Sequence, residues 1–123
     1  MARGRILVIE DNTDNLELVT FLLEKAGHEV FSAFDGRQGL DEACQILPDL
    51  ILLDLTLPGI DGWSLAKMLK DDPATQAIKL VALTAHALPG DRRKALEAGC
   101  DGYLSKPLDV ASFINEIRKF LPE

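Results

Sequence analysis

Two kinds of hydrophobic segment alternate along this chain, and the alternation runs five times from one end to the other. The first kind is a short continuous apolar run: Ile6-Leu7-Val8-Ile9, Leu50-Ile51-Leu52-Leu53 and Leu80-Val81-Ala82-Leu83. Such runs are expected of strands in a parallel sheet covered on both faces. Two weaker candidates complete the set: Glu29–Ala33, which is more polar, and Gly102–Ser105, which is short. Both are placed towards the sheet edges.

The second kind keeps a helical period. Leu16, Val19, Leu23 and Ala26 share one stripe, and so do Val110, Phe113, Ile114, Ile117 and Leu121. Asn12 or Thr13 can cap the first of these helices and Gly27 can end it, while Asp109 can cap the last, with Pro122 beyond it. Further helices are expected near Arg37–Ile46, Gly62–Lys70 and Asp91–Ala98, the last closing on Gly99. The longest loop expected runs from Asp71 to about Ile78, and no linker, repeat or low-complexity tract interrupts the pattern.

A chain of 123 residues buries on folding roughly two thirds of the surface it exposes when unfolded, enough for a core without disulfides or structural metal. The reading is a single α/β domain over 1–123, a (βα)5 unit whose right-handed crossovers put helices on both faces of an open sheet. The flavodoxin-like strand order 2-1-3-4-5 suits it best, and ligands of such sheets sit at the carboxyl ends of the strands.

Composition narrows the function classes. No apolar run approaches the roughly 20 residues of a membrane helix, and acidic residues enter too early in MARGRILVIEDN for a signal peptide. A cytoplasmic protein without membrane insertion is expected. Thirteen Lys and Arg against 20 Asp and Glu, net −7, disfavour direct contact with nucleic acid. Cys44 and Cys100 lie far apart in no metal-ligand spacing, which predicts two reduced, core-type thiols.

Four of the five strands end in chemistry: Glu10-Asp11, Asp54, Thr84 and Lys106-Pro107. The second, ending at Phe34-Asp35-Gly36, reads as a plain turn. Glu10, Asp11 and Asp54 together bring three carboxylates into one crevice, where like charges need a compensator. An all-oxygen donor set without His or thiolate points to a hard divalent ion, Mg²⁺ or Mn²⁺. Asp54 follows four large apolar residues and precedes Leu55-Thr56-Leu57-Pro58-Gly59, the position of a carboxylate nucleophile where a buried strand surfaces. Carboxylates attack phosphorus to form aspartyl phosphates. The ion and the Lys106 ammonium would neutralise the phosphoryl oxygens, and Thr84 could then donate its hydroxyl to one of them.

Rival uses of the same fold fit poorly. A nucleotide or flavin binder needs a Gly- or Ser/Thr-rich turn after its first strand, but here that turn is Glu10-Asp11-Asn12-Thr13-Asp14, and Gly36-Arg37-Gln38-Gly39 follows the wrong strand. Neither His28 nor His86 adjoins a nucleophile-elbow sequence. His28 is expected as a surface turn residue after Gly27.

Four motifs in order, Ile9-Glu10-Asp11-Asn12, Leu53-Asp54 through Gly62, Ala82-Leu83-Thr84-Ala85 and Tyr103-Leu104-Ser105-Lys106-Pro107, make the sequence resemble the receiver domain of two-component response regulators from about Arg5 to Leu121. The resemblance implies that Asp54 accepts a phosphoryl group from a phosphohistidine of a sensor histidine kinase or a histidine phosphotransfer protein. It implies Mg²⁺ held by Asp11, Asp54 and the backbone carbonyl of Thr56, with Glu10 acting through water. Lys106 would pair with the phosphoryl group next to a cis peptide bond at Pro107, and Thr84 and Tyr103 would form the switch pair. The fourth helix, fifth strand and fifth helix would form the face for a downstream effector, carrying Arg92, Arg93 and Lys94 beside Leu88 and Pro89. Asn15, Thr56 and His86 would lie where water approaches the acyl phosphate. Trp63 departs from the aliphatic residue often seen there and is expected near the metal loop, reporting phosphorylation by its fluorescence.

A signalling switch that catalyses only its own phosphorylation and dephosphorylation is therefore favoured over an enzyme with a substrate of its own. An aspartate-nucleophile phosphatase or phosphotransferase lacks its second acid here, since Thr56 stands two residues after Asp54. A degenerate scaffold would usually have lost Asp54, Asp11 or Lys106. The start at Met1 favours a stand-alone regulator or phosphorelay intermediate over a receiver excised from a hybrid histidine kinase, and output is expected through contact.

Overall fold

The structure is a computed structural model and describes residues 4–55, 62–84, 90–105 and 109–121. The strands are β1 (Arg5–Ile9), β2 (Glu29–Ala33), β3 (Leu50–Asp54), β4 (Lys79–Thr84) and β5 (Gly102–Ser105). Alternating with them are α1 (Thr13–Lys25), α2 (Gly36–Ile46), α3 (Gly62–Asp71), α4 (Asp91–Glu97) and α5 (Val110–Arg118). All the strand pairings are parallel and the order is β2-β1-β3-β4-β5, the flavodoxin-like arrangement expected.

The continuous apolar runs follow from where alternate side chains go. Ile6, Val8, Leu50, Leu52, Val81 and Leu83 pack with Leu16, Val19 and Leu23 of α1 and Phe113 and Ile117 of α5. Leu7, Ile9, Ile51, Leu53, Leu80 and Ala82 pack on the opposite face with Ala43 of α2, Leu65, Ala66 and Leu69 of α3, and Ala95 of α4. Successive residues of a strand point to opposite faces, so a sheet clothed on both sides has no polar position to spare. Gly39 lets α2 lie close to β1: a Cβ there would stand 2.5 Å from Ile9 Cδ1.

Two helices end in the same hydrogen-bonded turn. After α1, Gly27 N–H donates to Glu24 O at 3.0 Å and His28 N–H to Leu23 O at 3.1 Å; after α4, Gly99 N–H donates to Leu96 O at 3.1 Å and Cys100 N–H to Ala95 O at 3.0 Å. Gly27 (φ 94°) and Gly99 (φ 105°) supply the left-handed residue that this closing turn needs. The residue after each glycine is turned inward, so His28 and Cys100 are both buried.

That corrects the expectation of a surface His28. It is 7% exposed, and its Nδ1 accepts a hydrogen bond from Gly4 N–H at 3.0 Å. Burial first, and the Arg118 guanidinium second, hold its pKa below the ordinary 6.5. Because the folded pKa is the lower one, the unfolded chain binds the proton first. Stability contributed by neutral His28 is therefore complete above about pH 6.5 and is lost as pH falls towards the folded pKa. Urea midpoints taken from pH 7.5 to 5 should show this loss in the wild type, and His28→Phe should remove that part of the slope.

The thiols also divide. Cys100 is buried as expected, but Cys44 is exposed on α2, because the inward positions of that helix are Gly36, Gly39 and Ala43. At the amino ends of the strands, two aspartates bracket neighbouring strands in the same way. Arg5 N–H donates to Asp49 Oδ2 at 2.9 Å while Asp49 N–H donates to Arg5 O at 2.8 Å. Leu80 N–H donates to Asp101 Oδ2 at 2.8 Å while Asp101 N–H donates to Leu80 O. Lys70 Nζ ties the end of α3 to this second bracket, 3.0 Å from Asp101 Oδ2 and 2.8 Å from Ile78 O.

Candidate functional site

The site is built by strand register. β1 and β3 pair through Ile9↔Leu53, so one step further Glu10 and Asp54 come side by side at the carboxyl edge. Glu10 N–H is anchored on Ala33 O at 3.0 Å. Asp11 follows directly, before Asn12 caps α1 by accepting from Asn15 N–H at 2.9 Å. Carboxylate oxygens of Glu10, Asp11 and Asp54 all lie within 4.8 Å of one another. Glu10 is 1% and Asp54 3% exposed, whereas Asp11 faces solvent. The cluster thus has a buried floor and an open lip, and its hard-oxygen donor set fits a partly hydrated divalent cation.

β4 adds Thr84, 3% exposed, one residue beyond the Asp54↔Leu83 pair. Tyr103 of β5 lies opposite Ala82, so Thr84, two residues on from Ala82, shares its face of the sheet. The tyrosine is half-buried and packs on the core that α3 and α4 cover. The expected positions Thr56, His86, Leu88, Pro89, Lys106 and Pro107 lie outside the described residues.

Position 62 makes a close approach to the site. Gly62 opens α3 with its N–H on Leu55 O at 3.3 Å, and a Cβ there would meet Leu55 Cα at 2.5 Å and Asp54 O at 2.8 Å. Next to it, Trp63 packs on the core with the Lys94 ammonium 5.2 Å from its ring centroid, a cation–π contact joining α3 to α4. Arg92 and Arg93 remain exposed on α4 with Leu96, which is 47% exposed.

Two features of this edge were not read from the sequence. Asn15 Nδ2 donates to Glu10 Oε1 at 3.0 Å, a contact that needs the first turn of α1 folded back over β1. The turn after β2 carries no chemistry and serves as a helix cap: Asp35 Oδ1 accepts from Gln38 N–H at 2.8 Å and Gln38 Oε1 accepts from Phe34 N–H at 2.8 Å. Asp-x-x-Gln is the sequence signal of a capping box, although here Gln38 reaches the N–H of Phe34, one residue before the N-cap Asp35.

Residues 6–118 match the family model described as the response regulator receiver domain. The chain belongs to that family. Among curated relatives, this receiver domain is 39% identical over 116 residues to the polar-differentiation response regulator DivK of Brucella anthropi, covering 94% of each chain. Among solved structures it superposes on a putative response regulator from Chloroflexus aurantiacus with a TM-score of 0.91 at 30% identity, over 96% of this chain and 97% of that one. It also superposes on the receiver domain of the sensor histidine kinase PA1611 from Pseudomonas aeruginosa, with a TM-score of 0.88 at 34% identity, over 97% and 98% of the two chains. That structure has a magnesium ion coordinated in its active-site cleft. Receiver domains are the response-regulator modules of two-component signalling. Among the described residues of this one, no helix is long and apolar enough to cross a membrane.

Proposed function

We propose that this receiver domain takes a phosphoryl group onto Asp54 from the phosphohistidine of a sensor histidine kinase or histidine phosphotransfer protein. The observation that carries the reading is the convergence of Glu10, Asp11 and Asp54 within 4.8 Å at the carboxyl edge of the sheet, in a chain of this family. A carboxylate oxygen of Asp54 forms the new O–P bond as the P–N bond breaks, and its electron pair leaves with the imidazole.

Asp11, Asp54 and the Thr56 carbonyl would hold Mg²⁺, with Glu10 supporting it; the magnesium in the PA1611 receiver favours that ion. When bound, the ion supplies positive charge against the phosphoryl oxygens. Burial of Asp54 at the end of β3 limits its approaches to the open lip where Asp11 lies. Lys106, which follows β5 directly, is assigned to the phosphoryl oxygens, next to the peptide bond at Pro107.

Thr84 is assigned to donate its hydroxyl to one of those oxygens, with Tyr103 moving inward on the same face to fill the space vacated. This is a two-state element biased by local charge. The output face would comprise α4, β5 and α5, where Arg92, Arg93 and Leu96 are exposed and suit a partner with acidic and apolar groups. On this reading the protein is a cytoplasmic switch that turns over only its own acyl phosphate.

Intact-mass analysis after incubation with a small acyl-phosphate donor tests the assignment. A single, hydroxylamine-labile phosphoryl adduct that forms with Mg²⁺ and fails to form in chelator is the expected result. An adduct stable to hydroxylamine would place the phosphoryl group on another residue type.

A further inference from the structure

We infer that Asn15 is a positioning residue for the metal cluster: its side-chain amide fixes the Glu10 carboxylate and thereby sets Mg²⁺ affinity. The inference rests on the assignment of Glu10, Asp11 and Asp54 as the metal site.

Both ends of the contact are held by the backbone. Glu10 sits at the end of β1 with its N–H on Ala33 O at 3.0 Å, and Asn15 sits in the first turn of α1 with its N–H on the capping Asn12 Oδ1 at 2.9 Å. Between these two anchors, Asn15 Nδ2 reaches Glu10 Oε1 at 3.0 Å. Glu10 is 1% exposed, so water is poorly placed to replace a lost donor. A glutamate side chain has several rotamers to lose on being fixed. Here that loss is borne by the fold before any ion arrives, with the Asn15 amide one of the groups that hold the carboxylate in place.

The chemical nature of the donor is what suits a cation site. A neutral amide directs its hydrogen at a carboxylate oxygen without adding charge beside three carboxylates that lie within 4.8 Å of one another. A lysine or arginine at position 15 would provide the same hydrogen bond but would bring a positive charge into competition with the metal. The asparagine amide supports the anion and remains neutral. Outer-shell groups at metal sites typically alter metal affinity by about 10–100-fold when removed, and because Glu10 is assigned to act through water the Asn15 effect is expected towards the lower end.

The test is calorimetric titration of Mg²⁺ into the unphosphorylated full chain, as wild type, Asn15→Leu, Glu10→Gln and the double variant. Asn15→Leu is expected to raise the Mg²⁺ Kd by about tenfold or more, and Asn15→Ser, which is too short to span the distance, should do the same. In the Glu10→Gln background, Asn15→Leu should have little further effect, because the partner through which it acts has gone.

Equal weakening in both backgrounds, or a lowered Tm with unchanged Mg²⁺ affinity, would overturn the inference and leave Asn15 a purely structural residue. A wild type that releases no heat with Mg²⁺ and gains no thermal stability from it would overturn the metal-site assignment itself.

Discussion

Asp54→Asn should yield a folded protein that takes up no phosphoryl group under any donor condition. The change keeps the shape of the side chain and removes the nucleophilic oxygen anion, so mass analysis of variant and wild type side by side isolates the acceptor. An adduct surviving in the variant would mean that another acid carries it. The same substitution has a thermodynamic signature. Asp54 lies almost wholly buried with its carboxylate within 4.8 Å of those of Glu10 and Asp11. Neutralising one of three like charges at such distances relieves repulsion, and the expected gain in Mg²⁺-free buffer is about 1 kcal/mol. Urea unfolding should show it as a higher midpoint at unchanged m. Adding Mg²⁺ should then stabilise the wild type, because a ligand of the folded state shifts the equilibrium by mass action, and should do far less for Asp54→Asn. A midpoint lowered in metal-free buffer would show that the carboxylate holds the site together.

Gly62→Ala is expected to be strongly damaging at the carboxyl edge of the sheet. Its added carbon meets Leu55 Cα at 2.5 Å and Asp54 O at 2.8 Å, and both are backbone atoms that no rotamer change can move. Either α3 shifts away from the sheet or the end of β3 is pushed out of register, and overpacking of this kind costs about 1–3 kcal/mol or more. Thermal melts should drop by roughly 5–10 °C on that basis. The chemistry should suffer separately, since the displaced carbonyl belongs to the proposed acceptor: the phosphorylation rate should fall even at temperatures where the variant is fully folded. A variant with normal phosphorylation and normal Tm would mean that α3 relaxes away from β3 without cost. Space, rather than a left-handed backbone, is what asks for glycine here.

The strands were legible because burial on both faces writes an unbroken apolar word at Ile6–Ile9, Leu50–Leu53 and Leu80–Leu83. The ends of α1 and α4 were legible because Gly27 and Gly99 each accept a conformation that few other residues tolerate. His28 was misread although it occupies the same place in its turn as Cys100; polarity suggested solvent, while the geometry of the turn sends either residue inwards. Cys44 was misread the other way, since the inward stripe of α2 is taken by Gly36, Gly39 and Ala43. The acidic cluster was legible once strand ends were compared. The amide of Asn15 on Glu10 was not, because it depends on how α1 sits over β1. The brackets made by Asp49 and Asp101, and the Lys70 tie, join residues far apart in sequence and leave no local signal at all.

The unequal thiols give the unmodified chain a handle for chemistry. The Cys100 thiol is pushed up to about 11, by burial first and the neighbouring Asp101 charge second, against a smaller opposing pull from Lys70, and alkylation proceeds through the thiolate. Cys44 is exposed on α2. A maleimide dye offered near neutral pH has one open address among the two cysteines, on a helix that packs on the same core cluster as Trp63 and Tyr103. The lone tryptophan can then act as energy donor to that dye, making a two-point optical ruler across α2 and α3 without altering a single codon.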